Sequence, residues 1–251
     1  MPSSTPRTSS PCSTPTSGPR WPSGSRSLIV AGADGCRTGW VVCRRAADGA
    51  LDVVVVKTLA EACEGLSFFA VDMPIGFVDR PRPPRACEVA ARKLLPGKAS
   101  SVFPTPCRPV LACTKHAEAN ALSKRLGIGI NQQTFHLFPK MREVDGLLRS
   151  QPRLRRILRE AHPELAFARM NGGKPVLSKK RRPDGYAERR RLLERHGFAC
   201  PVERLPGAAR DDILDAIAVC RTALLIAQGA ASRLGPARQR DSCGLPMNIW
   251  F

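Results

Sequence analysis

Between residues 28 and 56 the apolar positions fall into three short runs. Leu28-Ile29-Val30-Ala31-Gly32-Ala33 leads into Asp34-Gly35, Trp40-Val41-Val42-Cys43 follows, and Leu51 to Val56 comes after a turn at Asp48-Gly49. Runs of this length and composition, bounded by Gly and Asp, predict three strands joined by short turns. Thr58 to Glu64 suits a short helix, and Phe68-Phe69-Ala70-Val71 is the continuous apolar run of a strand buried on both faces. The expected opening is β-β-β-α-β.

Further along, the pattern loosens. Residues 74–113 are rich in proline, with a helix expected over Ala86 to Leu95 and a loop holding Ser100-Ser101-Val102-Phe103-Pro104. Loops this long inside a domain are usually functional or mobile. Helices are expected at 114–126 and from Pro139, a residue suited to a first helical turn, to Leu148. After His162-Pro163-Glu164, the spacing of Leu165 and Phe167 predicts another strand. The basic run Lys179-Lys180-Arg181-Arg182 precedes a charged helix from Tyr186 to His196. A final helix starts at Asp211-Asp212 and is apolar almost all round through Leu225, so it should pack inside. Gly244 to Phe251 is too apolar for a free tail and should dock on the body; Trp40 and Trp250 are read as core.

Composition narrows the class. The 251 residues are 43% hydrophobic, enough for one sizeable core over residues 28–251. Residues 1–27 are Ser, Pro and Arg with little to bury and read as a disordered tail; a transit peptide or an upstream start codon would give a similar pattern. No run approaches the roughly 20 apolar residues of a membrane span, and no secretory signal is visible, so the expected location is cytoplasmic. The ten cysteines lack C-x-x-C spacing and read as reduced hydrophobes. Forty Lys and Arg against 21 acids give +19, a charge that attracts polyanions.

Against that basic background, a few acids stand out. Asp34 and Asp72 each follow an apolar strand run, at the carboxyl edge where open α/β sheets place ligand sites. If the two strands are parallel neighbours, their spacing of roughly 4.8 Å brings both carboxylates within reach of one cation. A turn role for Asp-Gly and a capping role for Asp72 are the bland alternatives. Asp211 or Asp212 is explained as a helix cap, but Asp215 lies on a face that should be buried, where a carboxylate needs a cation, a donor or water.

These stretches also carry a resemblance. Gly32-Ala33-Asp34-Gly35-Cys36-Arg37-Thr38-Gly39-Trp40, Asp72-Met73-Pro74-Ile75-Gly76, Ser100 to Pro104, Lys140 to Asp145, His162-Pro163-Glu164, Asn171 to Pro175 and Asp211 to Ala216 resemble domain of unknown function 429, the family of predicted RNase H-like nucleases. Asp212 to Ala216 is also similar to the final-helix acids of Holliday-junction resolvases, while Asn131 stands where the family leads one to expect Ser. The resemblance implies an α/β, RNase H-like mixed sheet, three antiparallel strands followed by parallel strands, flanked by helices.

The implied activity is a metal-dependent nuclease that hydrolyses phosphodiester bonds by a two-metal mechanism with Mg²⁺ or Mn²⁺. The candidate catalytic residues are Asp34, Asp72, Asp212, Asp215 and Glu164, with Asp34, Asp72 and Asp215 as metal ligands. Arg37, Ser100, Ser101, Lys140, Lys179 and Lys180 are candidates for binding nucleic acid, although a charge run is often only a solvated face. Tyr186 is the only tyrosine, and no stacking platform for single strands is visible. The competing functions are an ATP-binding phosphotransferase of the actin/sugar-kinase-like type, which opens with a similar Asp-Gly hairpin but normally needs two such domains, and a non-catalytic nucleic-acid binder.

Overall fold

The computed structural model describes residues 28–80 and 82–251; the expectation of a disordered tail over 1–27 lies outside them. The three opening runs form β1 (Val30–Cys36), β2 (Gly39–Arg45) and β3 (Leu51–Val56), an antiparallel meander. The expected helix at 58–64 is a single 3₁₀ turn, Leu59–Ala62, before β4 (Phe68–Val71). Then come α1 (Ala86–Leu94), α2 (Arg108–Leu111), α3 (His116–Arg125), α4 (Gln132–His136), α5 (Phe138–Ser150) and α6 (Pro152–Ile157). The chain continues through β5 (Leu158–Glu160), α7 (Pro163–Met170), α8 (Pro183–Arg195), α9 (Arg210–Ala227), β6 (Arg233–Leu234) and β7 (Ile249–Trp250).

The main sheet has the order β3-β2-β1-β4-β5, antiparallel across the first three strands and parallel from β1 to β4 and β4 to β5. Alternate side chains of each strand feed two cores. Ala31, Ala33, Trp40, Phe69, Val71 and Leu158 pack under Phe138, Met141 and Leu154 of α5 and α6. Val30, Val41, Cys43 and Ala70 point the other way, into Phe167 of α7, Leu192 of α8 and the apolar side of α9. The sheet is therefore sandwiched between two helical layers.

One strand expectation is wrong. Leu165 and Phe167 lie in α7, not in a strand: Ala166, Ala168 and Met170 are buried as well, so the segment is apolar all round, and Pro163 sits at its helical start. The fifth strand is the three-residue Leu158–Glu160, whose Leu-Arg-Glu sequence carries no strand signal and which is defined by its ladder to β4. The last helix and the docking of the C-terminal segment follow the sequence reading. Leu245 and Ile249 are buried, Trp250 bridges to Ala161 beside β5 but stays partly exposed, and Asp241 accepts bonds from the Phe77, Cys243 and Leu245 amides. Gly76 has φ +77, and a Cβ there would stand 2.8 Å from Met247, so only glycine lets the two segments meet. The nine described cysteines are free thiols, seven of them buried. Among the described residues no helix is long and apolar enough to cross a membrane.

Candidate acidic site

The parallel ladder between β1 and β4 runs from Val30–Phe68 to Ala33–Val71, and the Asp72 amide continues it by donating to the Ala33 carbonyl at 2.9 Å. Asp34 and Asp72 are the next positions on the two strands, so they leave neighbouring backbones side by side. Asp34 is not the turn residue an Asp-Gly pair suggests. β1 continues to Cys36 in register with β2, and the turn falls on Arg37 and Thr38. Asp34 thus lies where the parallel partner ends and the antiparallel one goes on.

Strand alternation turns Asp34 and Asp72 toward α9. Gly32, two residues before Asp34 on the same face, touches that helix so closely that a Cβ would sit 2.1 Å from the Cys220 nitrogen and 2.4 Å from the Ala216 oxygen. That backbone-to-backbone approach brings Asp215, the residue before Ala216, over the strand ends. Asp211 is one turn earlier. Asp212, by contrast, accepts from the Ala209 amide at 2.9 Å and closes the helix start. Asp34, Asp211 and Asp215 are buried, and Asp72 and Asp212 are partly so.

The charges feel each other. Burial raises the Asp34 carboxyl well above its usual range, and Asp72 and Asp215 raise it further. Burial brings Asp72 to about 6, with His162 and Lys180 pulling down and Asp215 and Glu164 pushing up. Asp215 is raised mainly by burial, against the opposing pull of Lys180. Lys180, from the loop before α8, donates to Asp215 Oδ2 at 2.5 Å and stands 3.4 Å from Asp211 Oδ2. Burial acts to lower its ammonium pKa, but Asp215, Asp34 and Asp211 outweigh that and hold the charge on.

Glu164 lies near enough to raise Asp72 and Asp215, yet both of its oxygens accept from Arg189 Nη2, at 2.8 and 3.0 Å, and Lys98 approaches to 3.8 Å. Its carboxylate is already paired with a buried guanidinium. On the far side of Asp72 a small cleft is lined by Ser101, Phe103, Glu160 and His162. His162 Nε2 bonds the Ser101 carbonyl at 3.2 Å, which brings that serine to the cleft, while Ser100 is exposed and does not line it. Glu160 is also an acid at a strand end, but it points to the opposite sheet face and pairs with Arg85.

Other sequence candidates lie elsewhere. Lys140 belongs to the opposite face of the sheet: its stem lies against Gly35, and its ammonium donates to the Gly39 carbonyl over the Trp40 ring. Glu143 accepts from Trp40 Nε1 and the Leu59 amide, and Arg142 donates to the Leu111 and Cys113 carbonyls, so this motif ties α5 to the body. Asn131, in place of the expected serine, caps α4 through the Thr134 amide at 2.7 Å. Arg37 and Lys179 are exposed. Lys98 and Arg189, which sequence reading passed over, emerge as partners of Glu164; only their distant folding partners mark them out.

The donors are carboxylate oxygens, the ligand type of hard divalent cations, and those of Asp34, Asp72 and Asp215 lie near enough to raise one another's proton affinity, with a lysine ammonium seated on Asp215. Among the described residues, however, no three His, Cys, Asp or Glu side chains are gathered as a ready metal-ligand group. A family model described as "Protein of unknown function (DUF429)" matches residues 32–240. No curated protein matches the chain, and no solved structure does.

Proposed function

Because the chain belongs to the DUF429 family, whose description assigns no activity, we propose from the site itself that it is a metal-dependent nuclease hydrolysing phosphodiester bonds. The observation that carries this reading is the side-by-side exit of Asp34 and Asp72 from adjacent parallel strands, with Asp215 brought over them by α9. The order β3-β2-β1-β4-β5, three antiparallel strands continued by parallel ones, supports the RNase H-like description of the fold.

Asp34, Asp72 and Asp215 would hold Mg²⁺ or Mn²⁺. A divalent ion there would activate water and stabilise the leaving oxygen of a phosphodiester. The chain's own part is to gather negative charge at one point and to balance it with Lys180, whose displacement from Asp215 frees carboxylate oxygens. Asp212 stays engaged at the helix start and Glu164 with Arg189, so both act by shaping the field around the other three. The +19 charge supplies long-range attraction for nucleic acid. This is a partner that a small anionic metabolite site would not need.

The test is cleavage of a panel of single-stranded, duplex and branched DNA and RNA with Mn²⁺, alongside calorimetric Mn²⁺ titration of wild type, Asp34→Asn, Asp72→Asn and Asp215→Asn. We expect EDTA-sensitive cleavage and ion binding by wild type, both lost in the variants. Unchanged ion binding in all three variants would overturn the acidic-site reading.

A further inference from the structure

Next to the carboxylates, the start of α8 and the start of α9 enclose an open groove of about 310 Å³, lined by Lys180, Arg181, Arg182, Tyr186, Arg210 and Asp211 among others. Its charge is strongly unbalanced. Lys180 and Asp211 are engaged with each other, and the Arg181 side chain is 84% exposed with only a 3.5 Å approach to Asp211. Arg182 and Arg210 are exposed and, among the described residues, form no ion pair. Three guanidinium groups thus surround a single acid. Held close in one groove, they repel one another, and a ligand with several phosphates relieves that repulsion.

A solvated charge run would stop there, but this groove has an aromatic wall. The chain's one tyrosine, Tyr186, lies in it, and the Arg210 guanidinium is held 4.2 Å from the centre of its ring. Tyr186 also packs against the α9-side core, so the ring is fixed from behind while Arg210 faces outward. A planar cation fixed on an aromatic ring is a platform on which an unpaired base can stack, whereas a duplex keeps its base faces covered. Lys180 belongs to both sites, since it lines the groove and bonds Asp215.

We propose that this groove binds an unpaired nucleic-acid strand, with a base on the Tyr186–Arg210 stack and its phosphates on Arg181 and Arg182. The proposal rests on the nuclease reading for its biological sense and names the substrate class of that site as single-stranded. A strand lying in the groove passes Lys180, which places the adjoining phosphodiester beside the carboxylates.

Fluorescence anisotropy with a short labelled single-stranded oligonucleotide, in EDTA so that no cleavage occurs, tests it. Wild type should bind the single strand more tightly than a duplex of the same sequence. Arg181→Ala with Arg182→Ala, and Arg210→Ala alone, should each weaken binding about tenfold, and the double change should flatten the salt dependence by about one to two units of slope. Tyr186→Phe should bind like wild type and Tyr186→Ala should not. Equal affinity for duplex and single strand, or wild-type affinity in the exposed arginine variants, overturns the groove proposal even if Mn²⁺-dependent cleavage is found. Conversely, groove binding without ion binding retires the nuclease reading alone.

Discussion

Lys180 Nζ lies 2.5 Å from Asp215 Oδ2, joining the loop before α8 to the inner face of α9 across the carboxylate cluster. The ammonium is the cation shared by two buried acids, Asp211 and Asp215.

Removing that charge has two readable effects. Lys180→Met should lower stability by about 1–3 kcal/mol near neutral pH, a value reduced from that of a fully buried pair because the lysine side chain is 36% exposed. The folded ammonium pKa is raised, so its contribution is present at all pH values below the ordinary lysine range and lost only above it. Divalent ions should then stabilise Lys180→Met more than wild type, seen as a larger rise in Tm with Mn²⁺. Equal stability in urea titration would show that the contact contributes nothing.

The carboxylates predict a trend of the same sign in a much lower pH window. The Asp72 carboxyl is raised from 3.8 to about 6, so the folded state binds its proton more tightly than the unfolded one. Stability should therefore fall as pH rises through that window, and the loss is complete above it. Asp72→Asn cannot titrate, so in metal-free buffer it should gain stability relative to wild type between about pH 4 and pH 6. A constant difference across that range would mean that Asp72 is not perturbed.

Gly32 should be intolerant of even one methyl group. In Gly32→Ala the new Cβ meets backbone atoms of α9 at 2.1 and 2.4 Å, and backbone cannot rotate away as a side chain can. We expect a loss of about 3 kcal/mol or more, at the upper end for overpacking, together with weaker Mn²⁺ binding because Asp215 is carried away from Asp34. A stable variant with wild-type ion binding would contradict the close approach described above.

Glu164 should behave as a structural acid. Arg189 is 1% exposed, and in Arg189→Met the carboxylate loses its buried partner, so about 3–5 kcal/mol should be lost in chemical denaturation. Changing both residues, Arg189→Met with Glu164→Leu, should recover part of that loss. If the single change is neutral, Glu164 is free to serve the acidic site.

The sequence by itself determined the elements whose signals are local. Short apolar runs bounded by turn residues mark β1 to β4, and the apolar stretch after Asp211 marks α9, because a strand or helix face is written in residues close along the chain. Asp34 and Asp72 could be picked out for the same reason, each one step past matching apolar runs. Tertiary structure alone decided the rest. Leu158–Glu160 becomes a strand only through hydrogen bonds supplied by β4, and α7 is a helix despite the spacing of Leu165 and Phe167 because it is enclosed on every side. Lys140, the first residue of a matching motif, falls on the opposite face of the sheet from the acids, while Lys180, in what reads as a solvated charge run, reaches a carboxylate 35 residues away. The physical reason is one of range: backbone pattern is set within a few residues, but the partner of a buried charge is chosen by where the packed layers bring the chain back.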